Sequence, residues 1–219
     1  NLNFMMIRSS IFFLLVSTTF IYSQNINSIF PNFDKSGMQS DVLYNPSSIS
    51  NINTMQENTH DLYSFYQVYK SIAFSDFQQR LPKLDNIKNI AMSELMSINI
   101  PLALIYSEYD SFNENAKNNQ VIFKNSNNQF ERIESDLEIF DHYQILVGAA
   151  LKPIQRGSEV VFNLSNNLFF NISEKVVNSI EVNFGDGLGF QFIELDQNYH
   201  VSYENEGEKQ ISFKLTFDD

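Results

Sequence analysis

The chain has 219 residues, with 14 Lys and Arg against 26 Asp and Glu, a net charge of −12, three His, and neither Cys nor Trp. So acidic a chain repels phosphate backbones and anionic lipid, so nucleic acid is not an expected partner. Zero Cys excludes disulfide scaffolds, thiol nucleophiles, thiolate metal sites and iron–sulfur clusters together.

The chain opens with Met5-Met6-Ile7-Arg8, a largely apolar run from Ile11 to Tyr22, and then Ser23-Gln24-Asn25. One basic residue, about a dozen apolar ones and a small residue follow the order of a secretory signal peptide. The run is too short for a hydrocarbon core, which needs about 20 residues. Residues 1–23 are therefore expected to be a signal peptide. The product would be secreted or held at the outer cell surface, with no transmembrane segment after cleavage. Residues 24–58, rich in Asn, Ser and Gln, read as a loosely ordered entry segment with one short strand near Val42-Leu43-Tyr44.

Residues 59–152 read as an α+β region. Leu62, Phe65, Tyr66, Tyr69 and Ala73 fall on one helical stripe, with Asn58 or Thr59 as cap and Asp61 in the first turn. Pro82 interrupts the pattern, and Leu84, Ile87, Ile90, Ala91 and Leu95 form a second stripe, together a helical hairpin. Ile98 to Tyr106 is apolar on both alternations and predicts a strand covered on both faces, with Pro101 near its start or at an edge. Glu108, Asp110, Asn113 and Glu114 follow in an expected loop, and Val121-Ile122-Phe123 in a short strand. Tyr143 to Leu151, containing Gly148-Ala149-Ala150, predicts a strand closely approached by a neighbour.

From Gly157 the pattern is purely β. Val160 and Phe162, then Ile180, Val182 and Phe184, then Ile211, Phe213, Leu215 and Phe217 alternate with polar or outward residues. Gly185-Asp186-Gly187 and Asn205-Glu206-Gly207 supply turns.

Taken in order, Gly157-Ser158-Glu159-Val160-Val161-Phe162, the run Ile180 to Gly187 with its Phe184-Gly185-Asp186-Gly187 tetrad, Tyr203, Gly207 and the alternating strand Ile211 to Leu215 resemble a PKD-type domain. Asn183 stands where that family usually has Asp, and no Trp precedes it. The resemblance covers residues 153–219 and implies an immunoglobulin-like antiparallel β-sandwich, so the expected fold class is α+β. Phe184, Gly185, Asp186, Gly187, Tyr203 and Gly207 form its structural turn motif, in which Asp186 accepts backbone N–H bonds. Such a domain implies a spacer or binding module whose partners are glycans or cell-surface proteins.

Signatures of chemistry are sparse. The chain has no Gly-x-Ser-x-Gly elbow, His-Glu-x-x-His, Ser-x-x-Lys or phosphate loop. Glu108, Asp110, Asn113 and Glu114 are the calcium candidates, since hard cations favour clustered oxygen ligands. They lack the EF-hand alternation and its Gly, so a solvated acidic loop is the expected reading. Asp141-His142 beside Glu138 brings an acid to a histidine without an obvious nucleophile. The expected function is a non-catalytic region of an exported protein. The alternative is an accessory part of a longer secreted hydrolase whose catalytic domain lies beyond residue 219.

Overall fold

A computed structural model describes residues 26–44, 61–95, 99–152 and 154–218. The expected signal peptide lies outside these residues. The fold is mixed α+β, with short helices and strands in several sheets. Among the described residues no helix is long and apolar enough to cross a membrane.

Strand β1 (Ile100–Phe112) organises the molecule. It pairs antiparallel with β4 (Phe140–Ala150) and parallel with β5 (Glu159–Asn171), and β5 pairs antiparallel with β8 (Asn198–Ser202), giving the order β4-β1-β5-β8. Pro101 is tolerated in this central strand because it is the second residue. A second sheet has the order β7-β6-β9, from Phe190–Ile193, Val177–Asn183 and Ser212–Phe217. A small hairpin pairs β2 (Ile122–Lys124) with β3 (Phe130–Arg132).

Both alternations of β1 are buried, each against different neighbours. Ala103, Ile105 and Tyr109 join a cluster with Phe65, Val68, Tyr69 and Ile72 of helix α2 (Leu62–Ser75) and Ile87 and Ala91 of helix α3 (Leu84–Leu95). Ile100, Leu102 and Leu104 join Val160, Phe162 and Leu164 of β5 and Ile180 and Val182 of β6 in another. Each buried Leu, Ile or Phe contributes about 1.5–3 kcal/mol relative to exposure. The β1–β5 register slips between Leu102↔Leu164 and Leu104↔Phe169. This bulge exchanges the faces, since Leu164 packs toward the second sheet and Leu168 and Phe170 toward the helices.

The boundary expected at residues 152/153 falls inside the four-stranded sheet, which takes two strands from each side of it. Sequence periodicity reports which face of a strand is buried but not which strand lies beside it, so the β1–β5 pairing had no local signature.

Three further expectations need correction. Residues 26–44 are packed, not loosely ordered: helix α1 (Ile26–Ile29) and Phe30 and Phe33 enter a third cluster with Phe77, Ile139 and Phe140. Val42 and Leu43 form isolated bridges to Asp76 and Asp110 in place of a strand. Helix α2 is capped by Asp61, whose Oδ1 accepts from Ser64 N at 2.8 Å; the residue assigned to the first turn is itself the cap.

Candidate functional site

The turn motif is assembled around Phe184. Its ring is 1% exposed and stacks on Phe162 with centroids 5.0 Å apart. Its carbonyl accepts the Tyr203 hydroxyl at 2.7 Å, joining the two ends of the motif. Burial, followed by the charge of Asp186, pushes the Tyr203 phenol up to about 12. Asn183 Oδ1 accepts from Gly185 N at 2.9 Å, and Asp186 Oδ1 accepts from Leu188 N at 3.1 Å. Gly185 has φ +72°, and a Cβ there would lie 2.7 Å from Gln210 O, so both the conformation and the space demand glycine. Gly187 and Gly207, the remaining glycines of the motif, occupy the bends that follow Phe184 and Tyr203, at φ +91° and +118°.

The four acidic-loop candidates are not in one loop, and they do not converge. Glu108 and Asp110 lie within β1, which runs six residues further than the apolar pattern indicated. Glu108 pairs with Lys175 Nζ at 2.5 Å. Asn113 caps helix α4 (Glu114–Asn118) and donates to Asp141 Oδ1 at 2.7 Å, while Glu114 pairs with Lys117 at 2.6 Å. Each carboxylate already has its own partner, and among the described residues no three His, Asp or Glu side chains gather as a metal site.

Asp110 instead centres a buried polar knot. Its side chain is fully buried, and it accepts from Gln39 N at 3.2 Å, Ser40 N at 2.8 Å and Ser40 Oγ at 2.8 Å. His142, its direct partner across the β1–β4 ladder, completes the shell through Nδ1. Backbone bonds from Tyr44 N to Asp110 O and from Asp110 N to Val42 O, both 2.8 Å, tie the same stretch to β1. A catalytic triad needs the imidazole between serine and carboxylate. Here the carboxylate lies between serine and imidazole, so these three residues do not form that triad. The acid beside His142 in sequence, Asp141, points to Asn113; the partner that matters is 32 residues away, which no local motif reveals.

Sequence reading also missed an exposed face. On β7 the alternation is inverted: Phe190 and Phe192 are 48% and 72% exposed while Ile193 is buried. Across the ladder Phe192 opposes Glu181, which opposes Lys214, and Phe190 opposes Asn183, which opposes Ser212. Glu181 and Lys214 are ion-paired at 2.7 Å. The outer surface of this sheet is therefore two aromatic rings beside a row of hydrogen-bonding groups.

Compared with known proteins, the chain matches no family model, no curated protein and no solved structure.

Proposed function

We propose that the chain is a non-catalytic region of an exported protein, secreted or held at the outer cell surface. In this reading the four- and three-stranded sheets form an immunoglobulin-like sandwich of the PKD kind, carried beside a helical hairpin. It serves as a spacer or as a binding module for glycans or surface proteins. The leader-like residues 1–23 support export, and the Tyr203–Phe184 bond and the shared core of the two sheets support the sandwich.

The observation that favours binding is the exposed pair Phe190 and Phe192. A soluble sheet face normally carries polar residues at such positions, and a grouped aromatic surface marks an interaction site. A sugar ring fits this surface well. Its apolar C–H face stacks on an aromatic ring, while Asn183, Glu181 and Lys214 lie within the next rows to meet its hydroxyls.

The test is retention of the chain on immobilised polysaccharides, with Phe190→Ala/Phe192→Ala as comparison, beside turnover assays on esters, peptides and glycosides. The reading expects retention that the double variant loses, and no turnover. Turnover would refute the non-catalytic assignment, and equal retention of both proteins would remove the aromatic face from it.

A further inference from the structure

A cavity of about 360 Å³ opens between α2, the 26–44 segment and the far end of β1. Its walls are aromatic: Phe30, Tyr44, Phe74, Phe112 and Phe130 all contribute. Helix α2 reaches it with Lys70, Ser71, Phe74 and Ser75, which recur at i, i+1, i+4 and i+5. That is a second face, separate from the Phe65, Val68, Tyr69 and Ile72 stripe committed to the core. Phe74 is 38% exposed, a large apolar side chain left at the mouth of the cavity instead of inside a core.

Two cations share this lining, Lys70 and Lys117, in a chain whose net charge is −12. Lys117 is paired with Glu114, but among the described residues Lys70 has no ion pair. A concave, apolar cavity of a few hundred Å³ with a small number of charged groups is the general form of a small-molecule site. The walls call for a hydrophobic body and the unpaired ammonium for an anionic head. At about 30 Å³ for each heavy-atom group, the share of a water molecule, the volume admits roughly twelve heavy atoms.

We propose that this cavity binds an apolar monocarboxylate of medium-chain fatty-acid size, with its chain among the phenylalanines and its carboxylate at Lys70. The site is separate from the exposed face of the three-stranded sheet and does not depend on what that face binds.

Isothermal titration of the full chain with decanoate tests this, with methyl decanoate as the uncharged probe. The proposal expects saturable one-to-one binding of decanoate and weaker binding of the ester. Lys70→Glu, an exposed change with little consequence for folding, weakens decanoate about tenfold and leaves the ester unaffected. Phe74→Asp, checked for retained helix and sheet by circular dichroism, removes binding of both. No saturable binding of decanoate would overturn the proposal. So would equal affinity of the wild type and Lys70→Glu, because the head group would then lie elsewhere.

Discussion

Asp110 and Asp186 both attract notice in the sequence as acids beside apolar strands, and the structure gives them opposite standing. Asp110 is sealed among Gln39, Ser40 and His142, where it joins three stretches far apart in the chain. Asp186 lies in a half-exposed turn and accepts from Leu188, two residues on, and from Gln191 at 3.4 Å. One carboxylate holds tertiary structure together and the other shapes a local bend. Both carboxylates are thus held by hydrogen bonds within the fold, and the contrast ranks how mutations should act.

The largest effect is expected at the knot. Asp110→Ala leaves two backbone N–H groups, a hydroxyl and an imidazole facing a void, and each buried donor left without its acceptor costs about 1–3 kcal/mol. Chemical denaturation of the variant should show this, and a loss below about 1 kcal/mol would mean that water already reaches the carboxylate. The next effect tests the contact between the sheets. A Cβ on Gly148 would sit 2.4 Å from the Phe213 ring, so Gly148→Ala should cost about 1–3 kcal/mol. Most of that cost should vanish in a Phe213→Ala background, and an additive double variant would place the ring elsewhere.

Tyr203→Phe removes only the hydroxyl bonded to Phe184 O and should cost about 1 kcal/mol at neutral pH. It should also change the alkaline limb of the stability curve. An unfolded tyrosine loses its proton near pH 10, roughly its free value, whereas folded Tyr203 keeps it to about 12. Between these the unfolded state binds fewer protons, so stability falls as pH rises through that window. The variant should fall less steeply there, and parallel curves would contradict the assigned burial. Burial likewise raises the Tyr44 and Tyr69 phenols, so a shallower fall will remain. The smallest effect is expected at Asp186→Ala, within about 0.5 kcal/mol of wild type. A larger loss would show that the turn governs more than its own bend.

What could be read from the sequence follows the range of the forces involved. The helical stripe through Phe65 and Tyr69, the doubly apolar run of β1 and the close approach at Gly148 depend on a residue and its immediate neighbours, and all are present. Other features depend on contacts across long loops. The β1–β5 pairing joins residues about sixty positions apart, and Asp110 meets Ser40 across 70. The inverted alternation at Phe190 and Phe192 was hidden for another reason: an outward phenylalanine and an inward one have the same hydropathy. The aromatic cavity was hidden too, because its lining comes from segments spread from Ile26 to Phe130.

Residues of the four- and three-stranded sheets share one apolar cluster, and NMR of the full chain observes that contact without mutation. The structure predicts a nuclear Overhauser effect between the Gly148 α-protons and the Phe213 ring, with those protons shifted by the ring current. Gly148 α-protons at ordinary strand positions, with no cross-peak to that ring, would contradict it.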